Sequence, residues 1–264
     1  MKKIAFWFVI TACVLNACKS ESKANNENED NMTDSIVPTT NIPADIYPTA
    51  NGDLSVSLIG HGSLMFEYDG KIIHVDPYSK VADYSKYPQA DLIILTHEHP
   101  DHLDTAAINK IRTDETRFIV SKVCNQILGY GEIISNGGRA DFDGIAIEAV
   151  PAYNMINKKP DGEFYHPKGR GNGYVFTFGD KKVYVAGDTE NIPEMEKLRG
   201  EIEVAFLPKN LPYTMSDEMF IDAAKKVMPN YLYPYHFTEM DETKLTDGLK
   251  DTKIKLLIRP MSSK

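Results

Sequence analysis

Within the run His97-Glu98-His99-Pro100-Asp101-His102, the four candidate ligands His97, His99, Asp101 and His102 bring three imidazoles and a carboxylate together in six residues. His97 and His99 are two apart, so on an extended segment their rings project to the same side and can grip one cation. Pro100 breaks that segment, and the turn it begins can fold Asp101 and His102 back as a second set of ligands. A hydrogen-bonded cluster without metal is the alternative, but adjacent imidazoles packed together cost desolvation unless something positive needs them. The donors are N and O with no thiolate, which suits one or two ions of Zn, with Mn or Fe also compatible. A metal lowers the pKa of its water towards neutrality and polarises an electrophile, so hydroxide attack on a carbonyl or phosphorus centre is the expected chemistry. Asp101 can accept a hydrogen bond from that hydroxide and orient it.

Two later residues stand where they can join the cluster. Asp188 follows the apolar run Val183-Tyr184-Val185-Ala186 and a glycine, so its carboxylate emerges at a strand end and can bridge two cations; capping a helix near Pro193 is the other reading. His236 ends the run Tyr231 to Tyr235 in the same way. His61, within Gly60-His61-Gly62-Ser63, is either a hydrogen-bond partner of a ligand or a turn residue. His74, inside an apolar strand, reads as structural.

The elements that must position these residues follow from hydropathy patterning. Leu54 to Ile59, Leu64 to Tyr68 and Lys71 to Val75 are strand-like, with an Asp69-Gly70 hairpin signal between the last two. Leu92 to Leu95 is a fully buried type of strand leading into the cluster, and Asp104 is placed to cap a helix over Thr105 to Ile111. Strands over 117–120, 132–134 and 145–150 surround a helix over 122–128. Strands over 174–178, 182–186, 204–207, 231–235 and 254–258 alternate with helices near Pro193 to Leu198 and Ser216 to Met228. Meander plus alternation in both halves predicts an α/β fold of two mixed β-sheets packed face to face with helices outside.

The histidine run resembles the signature of the metallo-β-lactamase superfamily of hydrolases. The likeness continues in Gly60-His61-Gly62-Ser63, Val75-Asp76-Pro77, Val185-Ala186-Gly187-Asp188-Thr189 and Pro234-Tyr235-His236, in the right order. It implies a four-layer αβ/βα sandwich with one or two metals held by His97, His99, Asp101, His102, Asp188 and His236. One departure stands out: the family places a further metal-binding histidine where this chain reads Val150-Pro151-Ala152-Tyr153-Asn154. Asn154 falls at that position, and an amide oxygen is a weaker ligand than imidazole. His166 is the available substitute; a general acid for the leaving group and an exposed loop histidine are its other readings.

The ends and the composition bound where this chemistry takes place. Lys2 and Lys3, the apolar run Ile4 to Leu15 and then Leu15-Asn16-Ala17-Cys18 resemble a lipoprotein signal. The apolar run is shorter than the roughly 18 residues a membrane span requires. The expected organisation is a signal over 1–17, a lipid-modified Cys18 with a polar tether to residue 48, and a hydrolase domain over 49–264. The expected location is the bacterial cell envelope, with the membrane reached through the lipid alone. Formal net charge is −9 and becomes more acidic once the signal leaves, which disfavours nucleic acid as a partner. Cys13 leaves with the signal and Cys18 carries lipid, so no disulfide is expected within the domain. Cys124, alone there, reads as a small buried apolar side chain.

Segments around Gly60-His61-Gly62-Ser63, Pro151 to Asn154, Gly187-Asp188-Thr189 and Tyr213-Thr214-Met215 are similar to the branch containing ascorbate-6-phosphate lactonase and N-acyl-phosphatidylethanolamine phospholipase D. That resemblance implies a small-molecule ester, lactone or phosphoester. Lys168, Arg170 and Lys209 are candidates for binding an anionic group, or are simply solvated. A phospholipase-D-like enzyme acting on membrane lipids and a metal-binding protein of decayed activity are the alternatives.

Overall fold

The computed structural model describes Met1 and residues 42–261; the expected signal and Cys18 lie outside the described residues. The first sheet runs in chain order through β1 (Asp45–Thr49), β2 (Gly52–Gly60), β3 (Ser63–Tyr68), β4 (Lys71–Val75), β5 (Leu92–Leu95), β6 (Arg117–Val120) and β7 (Glu132–Ile133). β1 to β4 pair antiparallel and β5 to β7 are added in parallel. The second sheet contains β8 (Arg139–Phe142), β9 (Ile145–Ala152), β10 (Gly171–Phe178), β11 (Lys181–Val185), β12 (Val204–Pro208), β13 (Tyr231–Tyr235) and β14 (Lys255–Leu256). It repeats the plan, antiparallel through β11 and then parallel. The alternation read loosely from the sequence is thus a structural repeat of the same seven-strand pattern.

Alternation along the strands divides the apolar side chains into layers. In β5, Leu92 and Ile94 face the second sheet, where they join Phe66, Phe176 and Phe206 in one core. Ile93 and Leu95 face outward and are covered by α1 (Thr105–Ile111) and α2 (Lys122–Leu128), which supply Ala107, Ile108 and Cys124. On the other side α3 (Asp217–Val227) and α4 (Glu242–Leu249) cover the second sheet with Phe220, Val227 and Leu245. Strands buried on both faces must be apolar throughout, which explains the unbroken run Leu92-Ile93-Ile94-Leu95. The result is the expected α/β sandwich with helices outside.

Local signals act as read. Asp69 (φ 50°) and Gly70 (φ 70°) make the hairpin turn. Asp104 caps α1 by accepting from the amides of Ala106 and Ala107 at 2.8 and 3.4 Å.

Other boundaries differ. Asp45–Thr49, assigned by composition mostly to the tether, is an edge strand with Tyr47 buried, so the folded chain begins before residue 49. Arg259 and Tyr233 hold its Asp45 in place. The Pro193–Leu198 segment is a 3₁₀ rather than an α-helix, and the final strand shortens to Lys255–Leu256. β8 and α4 had no sequence expectation. Among the described residues no helix is long and apolar enough to cross a membrane.

Candidate metal centre

His97 and His99 follow β5, Asp188 follows β11 and His236 follows β13, so the carboxyl ends of parallel strands from both sheets meet at one edge. After Pro100 the amides of His102 and Leu103 both donate to His99 O, at 2.9 and 2.8 Å, and this turn folds Asp101 and His102 back. The loop between β9 and β10 supplies His166, and the β2–β3 turn supplies His61. The His236 amide donates to His61 O at 2.8 Å, tying that turn to β13. His61, Asp76 and His236 all have φ near +50° and all lie here. Such backbone is disfavoured without glycine and is retained where surrounding structure holds a functional residue in place.

The donors fall into two groups. In the first, His99 Nδ1 lies 3.1 Å from both His97 Nε2 and His166 Nε2. In the second, His61, Asp101, His102 and His236 converge, with Asp101 Oδ2 at 2.8 Å from His61 Nε2, 3.4 Å from His236 Nε2 and 3.7 Å from His102 Nε2. Asp188 stands between them. Its Oδ2 is 3.3 Å from His166 and 3.4 Å from His236, and its Oδ1 is 3.6 Å from His102.

Neighbouring groups decide which nitrogen of each ring is free. Asn154 Nδ2 donates to Tyr213 O at 2.9 Å and to Glu190 Oε1, so Asn154 Oδ1 is an acceptor. His166 Nδ1 therefore donates to it at 2.7 Å, which leaves the Nε2 lone pair facing the cluster. His102 Nδ1 donates to Asp76 Oδ2 at 2.7 Å, with the same consequence. Thr96 Oγ1 gives its hydrogen to Asp76 at 2.6 Å and so accepts from His97 Nδ1 at 3.0 Å.

This donor set fits a pair of cations. Ligand atoms around a tetrahedral ion with bonds of 2.0–2.1 Å sit about 3.3 Å apart, close to the nitrogen separations in the first group. His102 Nε2, Asp188 Oδ1 and His236 Nε2 are buried with no hydrogen-bond partner, an expensive arrangement that ions between them would relieve. Burial, and then the charge of His102, hold His97 well below the ordinary histidine pKa, and burial with His166 lowers His99. Both rings thus remain neutral donors. Burial also opposes charge on His102, but Asp188, Asp76 and Asp101 outweigh it and push it up to about 10, so without a cation the ring takes a proton on Nε2, the atom that would otherwise face an ion. The centre therefore demands positive charge. Burial likewise opposes charge on Asp101 and Asp188, yet the surrounding histidines keep both ionised.

Every residue expected to bind metal is brought together here. His166 is 6% exposed, which removes the exposed-loop reading. Asn154 is not a donor to the cluster but the group that orients His166. The expected anion-binding cations are otherwise engaged: Lys168 with Glu194 at 2.7 Å, Arg170 with Glu98, and Lys209 with Asp217 at 2.9 Å and Glu239 O at 2.6 Å. Sequence reasoning left Asp76, Thr96 and Glu190 without roles. Asp76 was visible only as part of Val75-Asp76-Pro77. Glu190 is wholly buried and accepts from the amides of Met155, Ile156 and Asn157 at 2.7, 2.8 and 2.7 Å, fixing the loop beyond Asn154.

Two seven-stranded mixed sheets carry histidine and aspartate donors at their common edge, an arrangement that could hold metal ions. Residues 55–236 match the β-lactamase superfamily domain, and the chain belongs to that superfamily. It is 31% identical over 195 residues to a UPF0173 metal-dependent hydrolase of Methanopyrus kandleri, spanning 70% of this chain and 84% of that one. A crystal structure from Parabacteroides distasonis, described as that of a metal-dependent hydrolase, superimposes with a TM-score of 0.79 at 43% identity, covering 83% of this chain and 99% of the other. Igni18, a metallo hydrolase of Ignicoccus hospitalis, shares the fold at a TM-score of 0.61 and 23% identity, over 78% of this chain and 95% of its own.

Proposed function

We propose that the protein hydrolyses an ester, lactone or phosphoester with two divalent ions, zinc foremost, at the cell envelope. The observation that carries this reading is the position of Asp188, whose carboxylate lies within 3.3 and 3.4 Å of histidines from both donor groups. His97, His99 and His166 would hold one ion and Asp101, His102 and His236 the other, with Asp188 within reach of both groups. When bound, such ions acidify water and polarise the electrophile. Asp101, with its side chain 31% exposed on the cavity, orients the attacking water, and His61 fixes Asp101 from behind. The Leu15-Asn16-Ala17-Cys18 run supports lipid attachment at Cys18 and hence the envelope location.

Elemental analysis of the purified protein tests the centre. Wild type is expected to carry two equivalents of one metal, His97→Ala one or fewer, and Asp188→Ala fewer than wild type. Wild type that retains no ion after incubation with excess metal and desalting would overturn the reading. A panel of short esters, lactones and phosphodiesters beside phospholipid vesicles then separates a soluble-substrate enzyme from one acting on lipids. Cys18→Ser is expected to move the protein from the membrane to the soluble fraction.

A further inference from the structure

A cavity of about 420 Å³ opens over the metal centre, lined by His99, Asp101 and His236 and, on its outer wall, by Lys159, Tyr165 and Tyr213. The Lys159 amide donates to Glu163 O at 2.7 Å and its carbonyl accepts from Gly162, so a tight turn fixes its backbone. The neighbouring Lys158 pairs with Phe164 across a two-stranded bridge and lays its ammonium 4.7 Å from that ring. Lys159, by contrast, has no hydrogen bond or ion pair from its side chain among the described residues, although Lys168, Arg170 and Lys209 are all neutralised by acids. It is a half-buried free cation on the wall of the cavity.

An apolar surface adjoins this wall, and of its residues Tyr165 and Tyr213 line the cavity itself. Met155, Ile156, Leu211 and Tyr213 are 37, 67, 54 and 45% exposed. They lie on two loops bound to each other, since Asn154 Nδ2 donates to Tyr213 O and Asn157 Nδ2 to Thr214 O at 3.1 Å. Tyr165 packs edge-on against Tyr213 with ring centroids 5.0 Å apart, carrying the apolar surface into the cavity. Large apolar side chains gathered beside a polar site mark a place where a ligand covers them.

Resting on the hydrolase reading, we infer that the substrate is an amphiphilic anion. Lys159 takes an acidic group separate from the scissile bond, and the shelf of Tyr165, Tyr213, Leu211 and Ile156 takes the hydrocarbon portion. Lys159 and Tyr213 are specificity-determining residues rather than members of the metal centre.

Calorimetric titration of the metal-loaded protein with sodium octanesulfonate tests this, because a sulfonate is a poor metal ligand and its binding needs no turnover. Wild type is expected to bind octanesulfonate more tightly than ethanesulfonate. Lys159→Gln should weaken octanesulfonate about tenfold or more, as loss of a charge-assisted contact implies, while Lys159→Arg retains most of it. Tyr213→Ala should reduce the preference for the longer chain. Absence of binding to wild type, or an affinity within twofold in Lys159→Gln, overturns the inference. Binding to phosphatidylglycerol vesicles that octanesulfonate does not displace also overturns it, by assigning the shelf to a lipid surface. Lys159-dependent binding in a protein that hydrolyses nothing would sustain this inference while the hydrolase reading fails.

Discussion

Asn154 receives His166 twice: its Oδ1 accepts from the backbone amide at 2.8 Å and from ring Nδ1 at 2.7 Å. The residue that reads as a lost ligand is therefore the group that aims the ligand in use. Removing such an outer partner weakens metal binding about 10–100-fold. Asn154→Ala is expected to lose one of two metal equivalents on dialysis against weak chelator, whereas Asn154→Asp, which still accepts from Nδ1, keeps both. Full retention by the alanine variant would remove this role.

His102 is fixed from two directions. Asp76 accepts from its Nδ1, and Gly62 leaves room for its ring, since a Cβ on Gly62 would sit 2.8 Å from His102 Cε1. Asp76→Ala and Gly62→Ala should each weaken the ion on that side, Asp76→Ala by about 10–100-fold. Competition titrations with a chromophoric chelator would measure this, and unchanged affinity in both would show that His102 orients itself.

His74 makes stability depend on pH. Burial pushes its pKa down to about 4 against an ordinary 6.5, with only a 3.2 Å bond to Pro88 O opposing. The unfolded chain thus binds the proton first, and the stabilisation is fully present above pH 6.5 and lost as pH falls towards about 4. Between pH 7 and pH 5 the loss from this residue is about 2 kcal/mol. Urea denaturation of His74→Leu should show a correspondingly flatter dependence than wild type; parallel curves would exclude it.

Cys124 lies on the buried face of α2 with no exposed surface, and burial pushes its thiol up to about 12. Peptide mapping after treatment with a maleimide at pH 7.5 is expected to find Cys124 unmodified in native protein and labelled in urea. Rapid labelling of the folded chain would contradict the packing described here.

What was legible in the sequence was local. The spacing of His97, His99, Asp101 and His102 follows from one strand end and one turn, and Asp188 and His236 announce themselves by ending apolar runs. Asp76 supports a ligand 26 residues away, through the parallel pairing of β4 with β5, which no local pattern displays. The acids that neutralise Lys168 and Arg170 are likewise remote, at separations of 26 and 72 residues, so nothing local shows that these two cations are engaged. α4 went unread because Thr243, Thr246 and Gly248 are poor helix formers; Leu245 and Leu249 hold it against α3 instead. β1 is short and polar at its ends, and its pairing with β2 makes it a strand.

The donors divide between the halves of the repeat: His97, His99, Asp101 and His102 belong to the first sheet's edge, His166, Asp188 and His236 to the second's. Each ion would therefore act as a cross-link between two duplicated layers as well as a reagent. Ligand binding confined to the folded state adds about 2.7 kcal/mol at a hundredfold excess over the dissociation constant. Stripping metal from the wild type should accordingly lower its melting temperature, and Asp188→Ala should blunt that response. Evolution of this centre is then constrained from two sides, since a substitution that loosens the ions also loosens the seam that joins the halves.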